Sequence, residues 1–364
     1  MLKNNYQEKI DLIVDVIKAK DVDALLLVSS INRFWLTSFD FSLGYIIINK
    51  DGKIDIISDT RYILALKNKV QFGNKILMDS ENTLNKILNQ IKEKYNIEKI
   101  LIEEEYLSIA EYNNINSIFA TELLKSRTIR EVKFDYEVEL LQKAADIVVD
   151  TIDWVKTFIK PGISEKELAQ KINIKILELG AEKNSFSTIV AAGKNGSSPH
   201  HQPTDYIIQD GDMVTIDLGC MYGNYASDMT RSFIVGEKAN NDEMVEIYNL
   251  VKLSQLEGLK ASCKNADSVE IDSICRKIIN DSKYKDLFAH GTGHGVGIEV
   301  HELPVISTRN PIKLKNGNVI TIEPGIYKDN VGGVRIEDTI VIKDNNPIIL
   351  TGNSPKELEY IYNK

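Results

Sequence analysis

The chain has 364 residues, 43% hydrophobic and 27% charged, with a formal net charge of −9. This composition is ordinary for a globular protein and, at roughly 150 residues per domain, gives room for two domains. The negative balance repels a phosphate backbone and argues against nucleic acid as a partner, and no run of about 20 apolar residues exists to span a bilayer.

The N-terminal MLKNNYQEKI is polar and lacks a signal-peptide apolar stretch. Cys220, Cys263 and Cys275 are few, odd in number and unpatterned, as expected of reduced thiols. The expectation is a cytoplasmic protein with no membrane partner. Residues 5–20 space their apolar positions as a helix does, and Ala24–Val28 reads as a short buried strand. Gly44–Ile48 and Ile54–Ile57 flank the turn Asn49-Lys50-Asp51-Gly52 and predict a hairpin. A helix over Leu84–Tyr95 and a strand over Ile100–Ile102 complete a small α/β domain, expected over residues 1–125, that contains no histidine.

The charged stretch from Ser126 to Lys133 marks a boundary, with a linker expected over 126–135 and a second domain over 136–364. A long amphipathic helix is predicted from about Tyr136 to Ile159, stopped by Pro161-Gly162. Ser164, with Glu167 three residues on, has the capping-box pattern and starts the next helix, which runs to about Leu179.

The C-terminal part repeats itself weakly. The run from Gly211 to Gly219 and the run from Gly317 to Gly325 share the pattern Gly-polar-apolar-apolar-Thr-Ile-acid-x-Gly, with Asp217 and Glu323 as the acids. Each run is followed by a second predicted strand with an acid, Asp228 in YASDMTRSFIV and Glu337 in GGVRIEDTIVI. Two hairpins with one acid per strand predict a domain of two similar halves, and a pseudo-two-fold axis would bring the four acids together. Residues two apart share a strand face. Thr215 therefore goes with Asp217, Asp228 with Thr230, Thr321 with Glu323, and Arg335, Glu337 and Thr339 line one face together. Free carboxylates are costly to bury. Each acid is therefore an isolated edge-strand charge, a partner of a nearby Arg, or part of a metal site. Oxygen-rich ligation with one imidazole suits Mn²⁺, Co²⁺ or Fe²⁺ better than a thiolate-rich structural zinc site.

Three of the five histidines, His290, His294 and His301, fall within HGTGHGVGIEVH, and His200 and His201 are neighbours in GKNGSSPHHQP. A zinc-protease helix is excluded here, because each of the glycines at 291, 293, 295 and 297 would cost it roughly 1 kcal/mol and the HExxH glutamate is missing. A dinucleotide loop is excluded because the third glycine is not at the right distance and the acid about 20 residues on is missing. Alternating glycine instead permits close approach of extended backbone to a ligand, so the stretch reads as an extended strand lining a cleft.

These residues resemble the pita-bread metallopeptidases, in the branch of aminopeptidase P and prolidase. The resemblance runs through TIVAAGKNGSSPHHQPTD, DLGCMYGNYASDMTRSF, HGTGHGVGIEVHELP, ITIEPGIY and GGVRIEDTIVI, and DALLLVSSINRFWLTSFDFSLGYIIINKDGKIDIISDTRY resembles that branch's creatinase-type N-terminal domain. It implies an α+β fold, with a C-terminal pita-bread domain of pseudo-two-fold halves preceded by a smaller α/β domain.

By matching position it implies two divalent metal ions, manganese first with cobalt, iron or zinc as alternatives, held by Asp217, Asp228, His294, Glu323 and Glu337, with Asp228 and Glu337 shared between them. His200, His290, His301 and Arg335 match substrate-side residues, and Glu323 also matches the group that takes a proton from water and returns it to the leaving nitrogen. His201 has no counterpart and reads as a solvent-facing loop residue. Cys220 reads as a small buried residue rather than a ligand. GSSPH departs from the commoner Gly-Ala-Leu-Pro-His, and NGNV replaces a Gly-Met-Val; neither touches a matched ligand.

The implied activity is metal-dependent hydrolysis of Xaa-Pro bonds in proline-containing peptides, by release of the N-terminal residue, in a homodimer. The alternatives are a dipeptidase, a broader aminopeptidase on the same fold, and a scaffold without activity. The last is disfavoured because all five ligand positions are kept.

Overall fold

A computed structural model of the protein describes residues 6–363. The chain divides into two compact units, Met1–Arg130 and Glu131–Lys364.

The first unit is built on one six-stranded sheet, in the order Asn74–Leu77, Ile54–Ser58, Gly44–Asn49, Ala24–Leu27, Lys99–Glu103, Ala120–Leu124. Ala24–Leu27 runs antiparallel to Gly44–Asn49 and parallel to Lys99–Glu103. All four of its side chains are buried, which is why the run is uniformly apolar rather than alternating. The hairpin turn forms as expected, with Asn49 Oδ1 accepting from Asp51 N at 3.1 Å and Lys53 N at 2.8 Å. The first helix spans Tyr6–Ala19; residue 5 of the expected range lies outside the described residues. Leu84–Tyr95 is helical as expected. Ser30–Thr37 and Ile109–Asn116 are helices of only 8 residues each, too short to show an apolar period in the sequence.

In the second unit the long helix spans Asp135–Phe158 and the next Glu165–Glu178. Ser164 Oγ caps the latter by accepting from Glu167 N at 3.1 Å. These helices pack on a four-stranded sheet ordered Tyr360–Ile361, Met229–Val235, Asp212–Leu218, Ile189–Ala192, burying Ile152, Leu168, Ile172, Val214 and Phe233 among others. The second half repeats the plan. Helices Asp242–Ala261 and Ser268–Asn280 back a five-stranded sheet ordered Glu302–Ile306, Gly293–Gly295, Val319–Ile322, Asp338–Val341, Ile348–Ile349, and one core cluster joins Leu259 and Ile271 to Ile320, Ile322 and Ile340. The two-half organisation expected from the repeated hairpins is present. Among the described residues no helix is long and apolar enough to cross a membrane.

Two expectations about strands fail. Arg335, Glu337 and Thr339 do not share one strand. Gly332–Arg335 forms a separate ribbon with Gly325–Lys328, and the next strand begins at Asp338. Glu337 leaves the ladder because its N–H donates to Thr230 O in the other half at 3.2 Å, and Thr339 Oγ1 likewise donates to Asp228 O at 2.7 Å. The histidine-rich stretch is also not extended throughout. Only Gly293–Gly295 is strand, with a shift of register against Glu302–Ile306. The chain then bends around the buried Glu302 carboxylate, which accepts from Ile298 N at 3.1 Å, Glu299 N at 3.2 Å and Lys133 Nζ at 2.9 Å.

Candidate active site

The glycines around His294 are required by neighbouring backbone. A Cβ on Gly293 would stand 1.9 Å from Thr321 O, and one on Gly295 2.3 Å from Leu303 O. The approach these two permit is of strand to strand, rather than of backbone to a ligand as the sequence had implied. His294, between them, turns its ring into the cleft. Its N–H donates to Thr321 Oγ1 at 3.1 Å, which in turn donates to Glu323 Oε1 at 3.1 Å.

All nine residues singled out in the sequence, His200, Asp217, Asp228, His290, His294, His301, Glu323, Arg335 and Glu337, line one cleft of about 510 Å³. Asp228, His294 and Glu337 each offer one ligand atom, all within 4.8 Å of one another. His294 Nδ1 donates to Gly295 O at 3.0 Å, so the Nε2 lone pair is the one presented inward. It faces Glu323 Oε1 at 3.3 Å and Asp228 Oδ2 at 3.6 Å. A lone pair aimed at two carboxylate oxygens is repulsive unless a proton or cation lies among them. Asp217 Oδ2 accepts from Arg335 at 2.6 Å. Its Oδ1, like Oε1 of Glu337, is buried with no hydrogen-bond partner. Unpartnered buried acceptors are rare in a folded protein, and here two of them belong to adjacent acids. The donor set, four carboxylates and one imidazole, fits hard divalent cations.

The electrostatics agree. Burial pushes the carboxyls of Asp228 and Glu337 well above the usual carboxylate range, and the neighbouring acids push them further. Burial also raises Glu323, against the pull of His290 and Arg335, and it lowers His294. Arg335 is the guanidinium that offsets part of this charge. It donates to Thr230 Oγ1 at 3.0 Å, to Tyr327 OH at 2.9 Å and to Asp217.

Of the residues expected on the substrate side, His200 and His301 are exposed, with the His301 ring 4.3 Å from that of His294. His290 is half-buried, with Nδ1 at 2.8 Å from Gly291 O and Nε2 at 2.8 Å from Tyr327 OH. The helix Ser268–Asn280 holds this stretch. Arg276 donates to Phe288 O and His290 O, each at 2.7 Å, and Asp272 accepts from Thr292 N at 3.1 Å. His201 is a correction. It is not solvent-facing, because its Nε2 meets the buried Glu165 carboxylate at 2.8 Å. Cys220 is buried as expected, with Sγ donating to Ala144 O at 3.4 Å.

Sequence reasoning assigned no role to Thr230, Thr321 or Tyr327, which touch the candidate ligands or Arg335. Thr230 Oγ1 donates to Glu337 Oε2 at 2.7 Å, Thr321 supports Glu323 and His294, and Tyr327 joins Arg335 to His290. The two-residue alternation had put Thr321 beside Glu323. It had put Thr230 beside Asp228, whereas the hydroxyl bonds Glu337 from the other half.

The sequence matches the model of metallopeptidase family M24 over residues 139–344 and that of the creatinase/prolidase N-terminal domain over residues 9–132. A relative from Pyrococcus furiosus, a Xaa-Pro dipeptidase, is 32% identical over 361 residues, covering 95% of this chain and 98% of its own. A Xaa-Pro dipeptidase from Bacillus anthracis of known structure superposes with a TM-score of 0.92 at 31% identity, over 99% of this chain and 100% of its own. The X-Pro aminopeptidase from Thermotoga maritima MSB8 superposes with a TM-score of 0.85 at 30% identity, over 94% and 98%. With a family model covering more than half of the chain and relatives aligned along nearly all of it, the protein belongs to metallopeptidase family M24, in the branch that carries a creatinase/prolidase N-terminal domain.

Proposed function

We propose that the protein is a two-metal Xaa-Pro aminopeptidase, releasing the N-terminal residue from peptides with proline in second position. The observation that carries this is the pair of orphaned buried oxygens, Asp217 Oδ1 and Glu337 Oε1, in the same cleft as the inward lone pair of His294. Asp217, Asp228, His294, Glu323 and Glu337 are the groups that would hold the ions, with manganese first among the candidates. Divalent cations held there would make water a nucleophile near neutral pH and polarise the scissile carbonyl. Glu323, aligned by Thr321, accepts a proton and returns it to the leaving nitrogen. His200, His290 and His301 face the substrate, and Arg335 orders the site around it. The proline nitrogen is a tertiary amide with no N–H and must gain a proton on cleavage, so a donor aimed at it matters. The relatives named as dipeptidases support a second reading, cleavage of Xaa-Pro dipeptides alone, on the same chemistry.

The test is a cleavage series at equal metal loading. Ala-Pro-Ala should be cut more than ~10²-fold faster than Ala-Ala-Ala, a difference of under 3 kcal/mol in transition-state binding. Equal or faster cutting of Met-Ala-Yaa peptides would overturn the proline requirement, and cutting of Ala-Pro without Ala-Pro-Ala would favour the dipeptidase. Metal analysis should give close to two ions per chain, and Asp228→Ala or Glu337→Ala should abolish activity. The homodimer implied by the resemblance is checked by light scattering.

A further inference from the structure

Glu165 is the first residue of the helix Glu165–Glu178 and is fully buried, yet it does not line the cleft. Its carboxylate takes five hydrogen bonds from Ala192 and the loop after it. Oε1 accepts from Ala192 N at 2.8 Å and Asn195 Nδ2 at 3.0 Å. Oε2 accepts from His201 Nε2 at 2.8 Å, Thr204 N at 3.0 Å and Thr204 Oγ1 at 2.7 Å. Between Asn195 and His201 the chain carries Pro199, whose carbonyl accepts from Arg335 at 3.4 Å, and His200, which is exposed at the cleft. Gly196 in the same loop sits so close to Gly333 that a Cβ would stand 2.8 Å from Gly333 N. One carboxylate therefore fastens both ends of the segment that presents His200.

A buried carboxylate is stable as an anion only when hydrogen bonds replace its water. Burial works against the charged form of Glu165, but the bonds from His201, Ala192, Asn195 and Thr204 outweigh it and hold the carboxyl below its ordinary range. The side chains of His201 and Thr204 both donate to this one group.

We propose that Glu165 is a positioning residue for the reaction, anchoring the loop of residues 193–204 so that His200 faces the substrate and the Pro199 carbonyl meets Arg335. The proposal rests on the reading that His200 acts on substrate. Gln at position 165 keeps the shape but turns an amide N–H₂ toward donors on one side, so the anchor is half lost. Hydrogen exchange of the metal-loaded Glu165→Gln protein should quicken at Ala192, Thr204 and the amides between them, and stay unchanged elsewhere. Its metal content should match the wild type, and kcat/KM should fall by ~10-fold or more, the scale of one lost charge-assisted hydrogen bond. In a His200→Ala background the same substitution should cost under ~2-fold, because two changes acting through one group are not additive.

Unchanged loop exchange, or losses that multiply in the double variant, would overturn the proposal. If His200→Ala keeps full activity, the substrate role of His200 falls and the catalytic reach of Glu165 falls with it, while the exchange data still report the anchor separately. Should Glu165→Gln fail to fold, His201→Ala and Thr204→Ala each remove one arm of the anchor and are judged by the same exchange and double-variant criteria.

Discussion

A single hydroxyl, that of Tyr327, joins two parts of the cleft. With Nδ1–H of His290 directed to Gly291 O, its Nε2 accepts from Tyr327, whose oxygen in turn accepts from Arg335. Burial pushes the Tyr327 hydroxyl up to about 12 and lowers His290, so near neutral pH the phenol stays a donor and the imidazole stays neutral. Arg335 then spans four oxygens, on Tyr327, Thr230, Asp217 and Pro199. Tyr327→Phe removes two of these bonds and leaves Arg335 short of a partner. The expected cost is about 1–2 kcal/mol by urea unfolding and a fall in kcat/KM of ~10-fold, with metal content near that of the wild type. Loss of a bound ion in this variant would show instead that Tyr327 acts on the metal centre. Tyr327 stands in the quoted ITIEPGIY run, yet its role was not legible there. A tyrosine in a short strand is unremarkable until its partners, 8 and 37 residues away, are folded against it.

At the scale of strands and helices, periodicity was a good guide to what exists and a poor one to where it stops. The apolar runs located the central strands and the helices Tyr6–Ala19, Leu84–Tyr95, Asp135–Phe158 and Glu165–Glu178 within a residue or two, because burial on one or both faces dictates them, whereas the helices Asp242–Ala261 and Ser268–Asn280 were not singled out. The break at Ile336-Glu337 was invisible, since the residues on either side keep strand-like alternation and the reason for the break, a bond to Thr230 O, comes from the other half. The glycine alternation from 291 to 297 was visible, but its cause was not. A Cβ at Gly293 would meet Thr321 O at 1.9 Å and Thr321 Oγ1 at 2.9 Å, whereas one at Gly291 would meet nothing nearer than Ile306 O at 3.1 Å. Gly293→Ala must move the Val319–Ile322 strand, and with it the hydroxyl that aligns His294 and Glu323. It should destabilise by about 1–3 kcal/mol as an overpacked site does and weaken metal binding measurably. Gly291→Ala should do less on both counts. Equal effects in calorimetry and metal titration would mean that the strand contact at Gly293 is not what its side chain is missing for.

At the scale of the whole molecule, the cleft is assembled from parts far apart in the chain. Arg335 and Asp217 are separated by 118 residues and Thr230 and Glu337 by 107, so no local window shows the site, and it was the repeat of hairpins that revealed which acids belong together. The same assembly makes the acids a liability. Asp228 and Glu337 are buried, like-charged and pushed well above the usual carboxylate range by burial and by the neighbouring acids, with Arg335 as partial relief. Close like charges destabilise the charged fold, and a bound cation reverses the sign. Asp228→Asn keeps the shape and deletes one of the charges. The metal-free variant should therefore melt above the metal-free wild type, by roughly 2–4 °C for each kcal/mol of repulsion removed in a unit of this size. Metal should act in the opposite order. At a hundredfold excess over Kd it stabilises by about 2.7 kcal/mol, or roughly 5–10 °C for the wild type, and Asp228→Asn, lacking a ligand, should gain much less. Scanning calorimetry with and without Mn²⁺ after chelation reads both. A metal-free Asp228→Asn protein that melts below the wild type would show that these acids are held by hydrogen bonds rather than strained by each other. The stability sacrificed to keep four carboxylates in one cleft would then need another explanation.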